Sequence, residues 1–145
     1  KAKEKSGRST SLVDNIPHTL PALARSQKLQ TRVRQVGFDW PAIEGVYEKV
    51  QEELAELRQA VSPEHRAEEL GDLLLVAVNL ANWLDLDAES ALREANAKFS
   101  RRFRALEKLA ERRQLVLAEM DLDGLEALWQ EVKVHLADGF PPSRE

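Results

Sequence analysis

Apolar residues recur along this chain at every third or fourth position, and no stretch shows the period of two expected of a half-buried strand. The pattern predicts an all-α protein, a bundle of about five helices. Pro21 opens the first helix at its N1 position and Gly37 stops it near Val36. Asp39-Trp40-Pro41 starts a second segment that reaches about Ala60. Ser62 and Pro63 supply the N-cap and N1 proline of a third, which continues to about Leu84. Asp87 caps a fourth that runs to about Arg113. After a loop at residues 116–121, a last helix occupies residues 122–137, closed by Gly139 and two prolines.

The third segment carries the strongest pattern. Leu70, Leu73, Leu74, Ala77, Ala81 and Leu84 form one apolar stripe. Glu69, Asp72, Val76, Asn79 and Trp83 line an adjacent one at spacings of three, four, three and four. The run from Leu73 to Val78 is apolar all round and is expected to be buried. Gly71, inside this helix, costs about 1 kcal/mol relative to alanine and suggests the close approach of a neighbouring helix.

Two acidic couples stand out against this background: Glu53-Leu54-Ala55-Glu56 and, after twelve intervening residues, Glu69-Leu70-Gly71-Asp72. Residues three apart share a helix face with Cβ atoms roughly 5–6 Å apart, so each couple presents two carboxylates side by side. Four such groups facing one another repel unless a positive charge sits between them. A hard divalent cation, Mg²⁺ above all, is one solution, usually shared with substrate phosphates. The first couple, taken alone, reads as a solvated helix face. The second leads into the apolar run, where a buried carboxylate needs either a metal or an arginine partner.

A basic counterpart lies on the fourth helix, where Lys98 and Arg102 share a face while Phe99, Phe103 and Leu106 turn towards the core. Trp129 and Lys133 repeat the four-residue spacing on the last helix. Lysine offers phosphate a point charge, arginine a fork of donors, and indole a stacking surface for a base. A solvated, salt-bridged face and simple packing of Trp129 between Leu125 and Val132 are the plainer alternatives. The three histidines, His18, His65 and His135, show no ligand spacing and are expected to be incidental.

Composition narrows the choice. At 145 residues the length suits one domain, and 43% hydrophobic with 32% charged residues fits a globular chain. The absence of cysteine removes disulfides, Cys-ligated zinc and thiol catalysis, and is compatible with a cytoplasmic location. No apolar run approaches the roughly 18 residues of a membrane span. A net charge of −4 argues against a nucleic-acid polymer as partner. The polar stretch at residues 1–11 is expected to be a linker or N-terminal extension, followed by the domain at 12–139 and a tail at 140–145.

Together these residues resemble the MazG family of all-α nucleoside triphosphate pyrophosphohydrolases. The likeness is carried by Lys28-Leu29-Gln30, Val36-Gly37-Phe38-Asp39-Trp40, residues 49–56, residues 68–74, Asn79-Leu80-Ala81, residues 95–99 and Arg101-Arg102-Phe103. It is closest to the second, catalytic copy of the domain in two-copy members. The resemblance implies cleavage of a nucleoside triphosphate between the α and β phosphates, over a broad range of bases, in nucleotide-pool house-cleaning. It implies Mg²⁺, with Mn²⁺ as a substitute, held by Glu53, Glu56, Glu69 and Asp72, with Glu53 and Glu69 catalytic and Glu53 the preferred base. It places Lys98, Arg102, Trp129 and Lys133 at nucleotide-contacting positions and implies a homodimer. One departure is that His65, followed by Arg66, replaces the lysine usual four residues before the second couple. The segment between the couples is also short. Alternatives are a narrower substrate (dUTP, dCTP, an oxidised nucleotide or a phosphoribosyl-nucleotide) and a non-catalytic helical module that binds a protein partner.

Overall fold

The computed structural model describes residues 10–137. The expected linker therefore lies almost wholly outside the described residues, as do Gly139 and the tail at 140–145. All regular structure among the described residues is helical. The elements are α1 (Ala22–Arg34), α2 (Ile43–Gln59), α3 (Pro63–Trp83), α4 (Ala88–Arg112), a 3₁₀ turn (Leu117–Glu119) and α5 (Leu122–Ala137).

The helix starts show which sequence signals acted locally. Ser62 caps α3 as its spacing predicts, its hydroxyl accepting from the His65 amide at 3.1 Å. Asp87 accepts from the Ser90 amide at 3.2 Å at the head of α4. Pro21 is extended (φ −52°, ψ 146°) and stands at the N-cap of α1 rather than inside it. The second helix begins at Ile43, later than expected from Asp39-Trp40-Pro41. The reason is tertiary: Asp39 is spent on a distant partner, accepting from Trp83 Nε1 at 3.1 Å and bridging Arg34 Nε at 2.6 Å.

Three helices end alike. Gly37 (φ 83°), Asp85 (φ 56°) and Gln114 (φ 56°) turn the chain into the left-handed region. Behind each, the next amide reaches back five residues: Phe38 to Val33, Leu86 to Ala81 and Leu115 to Ala110, at 2.8–3.1 Å. These are Schellman closures, which satisfy carbonyls that the helix leaves free.

The chain divides into two compact units, the first ending at Ala91 and the second beginning at Leu92 within α4. In the first unit α3 is the central helix and packs against both α2 and α1. Its buried apolar residues are Ile16, Val46, Ala60, Val76 and Val78. Gln27 of α1 ties three points together: its amide donates to Asn82 Oδ1 (2.9 Å) and the Leu86 carbonyl (2.7 Å), and its oxygen accepts from the Ala88 amide (2.8 Å). In the second unit Leu106 and Ala110 of α4 meet Leu128 and Val132 of α5. Arg113 and Glu131 close that pair through a two-pronged ion pair at 2.7 and 2.9 Å.

Two expectations about burial are corrected. Leu70, Leu74 and Leu75 of α3 are each about half exposed, because α1 and α2 leave part of that helix uncovered. Phe99 and Phe103 are exposed and stack on one another, centroids 6.3 Å apart; of the expected inward trio on α4, only Leu106 is buried. Gly71 is also not explained by packing, since a Cβ there would meet nothing within 4 Å. Gly71→Ala is therefore expected to stabilise the protein by about 0.5–1 kcal/mol through backbone entropy. Thermal unfolding should show a Tm higher by about 2–4 °C; a lower Tm would mean that something outside this chain closes on that face.

Candidate metal centre

Glu53 sits in the middle of α2, while Glu69 and Asp72 occupy neighbouring turns of α3, the helix packed against it. One oxygen from each of the three lies within 4.8 Å of the others. Three of the four carboxylates singled out by sequence thus converge, and they come from two helices.

Each glutamate is held by a base one turn behind it. Lys49 Nζ lies 3.0 Å from Glu53 Oε1 and also reaches Glu52 Oε1 at 3.1 Å. His65 Nε2 lies 3.0 Å from Glu69 Oε1. The other oxygens, Glu53 Oε2 and Glu69 Oε2, are buried without a hydrogen-bond partner. Glu53 keeps only 5% of its surface exposed. A buried acceptor left unsatisfied costs about 1–3 kcal/mol, and more when charged. Two of them beside a third carboxylate form an oxygen donor set that suits a hard divalent cation.

The electrostatics follow this geometry. The Lys49 hydrogen bond holds the Glu53 carboxyl below its ordinary value, outweighing the opposing effect of burial. Lys49 is raised in return, by its bonds to Glu53 and Glu52. Glu56 is exposed and stands outside the three-residue cluster. Its carboxyl is pushed up, first by desolvation and then by the charges of Glu53 and Glu69. The fourth carboxylate therefore lies in the field of Glu53 and Glu69.

The expected basic residues belong to the second unit. Lys98 is exposed and Arg102 partly so, one turn apart on α4; Trp129 and Lys133 are partly buried on α5. Trp129 packs against the Leu106–Ala110–Leu128–Val132 cluster, its ring 5.5 Å from that of Phe99 and tilted by 47°. Arg66, a possible replacement for the usual lysine, instead donates to the Ala60 carbonyl at the end of α2 at 3.1 Å. His65 is not incidental: it is the partner of Glu69. The signal for both clamps was present as a four-residue spacing, Lys49 to Glu53 and His65 to Glu69.

Residues 43–106 match the family model of the MazG nucleotide pyrophosphohydrolase domain. The chain carries a MazG domain at residues 43–106. It is 45% identical over 133 residues to the nucleoside triphosphate pyrophosphohydrolase/pyrophosphatase MazG of Thermotoga maritima, covering 92% of this chain and 52% of that protein. It is 48% identical over 128 residues to the nucleoside triphosphate pyrophosphohydrolase of Escherichia coli K12, covering 85% and 49%. The chain thus spans about half the length of these curated relatives. A further likeness, 41% over 137 residues, covers 92% of the chain and 28% of the uncharacterized protein YabN of Bacillus subtilis. The matched MazG segment contains all four carboxylates together with Lys98 and Arg102.

The clamp on Glu53 gives a pH signature in metal-free protein. Lys49→Met leaves a buried carboxylate oxygen without its donor and is expected to cost about 1–3 kcal/mol near neutrality. Glu53 titrates below its ordinary 4.5 when folded, so its share is present above that value and is lost as pH falls through the depressed one. Lys49 titrates above 10.5, so its share is present below 10.5 and is lost as pH rises through the raised value. Denaturant unfolding of both proteins with EDTA should show the stability gap shrinking towards acid. A gap indifferent to pH would assign the loss to packing of the lysine stem.

Proposed function

We propose that this MazG domain is a metal-dependent nucleoside triphosphate pyrophosphohydrolase, cleaving between the α and β phosphates to give a nucleoside monophosphate and pyrophosphate. The observation that carries this reading is the pair of buried, unpartnered oxygens on Glu53 and Glu69 beside Asp72. The names of the Thermotoga and Escherichia relatives support it.

Glu53, Glu56, Glu69 and Asp72 would hold Mg²⁺, or Mn²⁺ in its place. When bound, that ion supplies charge neutralisation on the triphosphate and orientation of the α-phosphorus. Lys49 and His65 keep the two glutamates oriented, so that each presents its free oxygen without a rotamer search. A carboxylate of this set takes the proton of the attacking water, with Glu53 the candidate base. Lys98, Arg102 and Lys133 offset charge developing on the phosphates, and Trp129 completes the substrate-contacting set. The range of bases is broad and the role is nucleotide-pool house-cleaning in the cytoplasm.

The protein acts as a homodimer in this reading. Support comes from the half-exposed Leu70, Leu74 and Leu75 of α3 and the exposed Phe99 and Phe103 of α4, apolar surface that a second copy of the chain would cover. Sedimentation at micromolar concentration should give twice the chain mass.

Pyrophosphate release from the eight common NTPs and dNTPs tests the activity. Release with Mg²⁺, none with EDTA, and loss of at least about a hundredfold in Glu69→Ala at unchanged helicity are expected. Near-normal turnover in that variant would remove the site assignment, and activity on one nucleotide alone would favour a narrow-specificity enzyme. Glu56→Gln adds an independent check. Without metal it relieves repulsion and should raise Tm, whereas the additional Tm gain on adding Mg²⁺ should be smaller than in the wild type.

A further inference from the structure

The outer side of α4 carries charge that neither the metal centre nor the substrate-contacting set uses. Leu106 and Ala110 turn the opposite side of this helix into the core of the second unit. Arg93, Arg101, Arg104, Lys108 and Arg112 lie away from them, within about 100° of arc at 3.6 residues per turn. All five are exposed. At the helical rise the stripe is about 28 Å long. Lys98 and Arg102 stand to one side of it.

These charges are poorly balanced from within. No carboxylate occurs between Glu94 and Glu107, a stretch that holds Lys98, Arg101, Arg102 and Arg104. Glu94 and Glu111 lie at the margins of the stripe. Even so, Arg93, Arg101, Arg104 and Arg112 form no ion pair or hydrogen bond among the described residues. Arg113, the next residue along, shows the contrast, its guanidinium closed by Glu131 at 2.7 and 2.9 Å. Arg101, Arg104, Lys108 and Arg112 follow one another at spacings of three, four and four, where like charges repel along a helix. For the arginines nothing among the described residues offsets that repulsion, a local conflict expected of a surface with a partner.

The chemistry of the stripe narrows the partner. Its arginines present planar forks that fit phosphate oxygens in pairs. No aromatic or large apolar side chain lies among them, since Phe99 and Phe103 stand on the side of Leu106 and Ala110. Base stacking and insertion into a lipid surface therefore lack the side chains they need on this face. What remains is a line of forks suited to a phosphate backbone. The net charge of −4 argues against such a partner for the surface as a whole, and so restricts the contact to this stripe.

We propose that the outer stripe of α4 binds the phosphate backbone of double-stranded nucleic acid, without regard to sequence. Arg93, Arg101, Arg104 and Arg112 donate to the backbone oxygens. The contact is independent of the hydrolase reading, in which none of these four holds the metal or meets the triphosphate.

Fluorescence anisotropy of the full chain with fluorescein-labelled DNA duplexes of two unrelated sequences tests this, in EDTA and over a range of KCl concentrations. With four phosphate contacts, the logarithm of the association constant should fall against the logarithm of salt with a slope of about −3 to −4, alike for both sequences. The double variant Arg104→Gln/Arg112→Gln removes two contacts, so the slope should flatten by about 2 and binding at low salt should weaken by about tenfold or more. Helicity should be unchanged. If the double variant loses helicity, Arg93→Gln is read in its place, with a slope flatter by about 1. No binding at the lowest salt overturns the proposal. So does an unchanged slope in a folded variant, which would place the contact elsewhere on the chain. Tighter binding to phosphatidylglycerol vesicles than to the duplexes, lost in the same variant, overturns it in favour of an anionic membrane surface.

Discussion

Two glutamates from adjacent helices, each tethered at one oxygen and bare at the other, set the terms for the rest of the first unit. Lys49 and His65 act from one turn behind their partners, so each tether is local to its own helix. The bare oxygens meet only because α2 and α3 pack side by side. Like charges brought together in this way oppose that packing, and their repulsion adds to desolvation in raising the Glu56 carboxyl. The apolar contacts of Val46, Val76 and Val78 must hold the helices together against it. This is a pattern expected of a functional site: a local conflict maintained by packing elsewhere.

The identity of the residue at position 65 illustrates how a small change redistributes roles. A lysine there would carry its charge on a long, flexible stem able to reach past Glu69 towards a phosphate chain. The shorter imidazole of His65 ends at Glu69 itself, 3.0 Å from Oε1. Arg66 does not restore the missing reach, because its guanidinium is engaged by the Ala60 carbonyl and fastens α3 to the end of α2. The short segment between the acidic couples is therefore a tight, hydrogen-bonded corner. Orientation of the second glutamate takes the place of an extra cation.

Much of this was legible in the sequence where the signals were local. The Ser62-Pro63 start of α3 and the start of α5 at Leu122 followed from capping and spacing, whereas the meeting of Glu53 with Glu69 and Asp72 across two helices was implied by the family resemblance. The misses have a common cause in partners far along the chain. Asp39 looked like a helix initiator, but its carboxylate belongs to Trp83, 44 residues away. The leucines of α3 looked buried because an all-round apolar helix usually is; periodicity cannot say how many neighbours a helix has.

That last point bears on why α3 is so apolar. One face carries the carboxylates and continues through Val76 and Asn79, which with Leu75 line an apolar cavity of about 400 Å³, to Trp83, which holds the Asp39 latch. Leu70 and Leu74 have no such task within this chain and stay half exposed. Exposed leucines on successive turns are costly in a helix that already holds repelling charges on its other side. The two properties are reconciled if covering the leucines supplies the stability that the carboxylates withdraw. Charge clustering on one face of α3 and burial on the other are then a single design, in which assembly stabilises the helix that carries the chemistry.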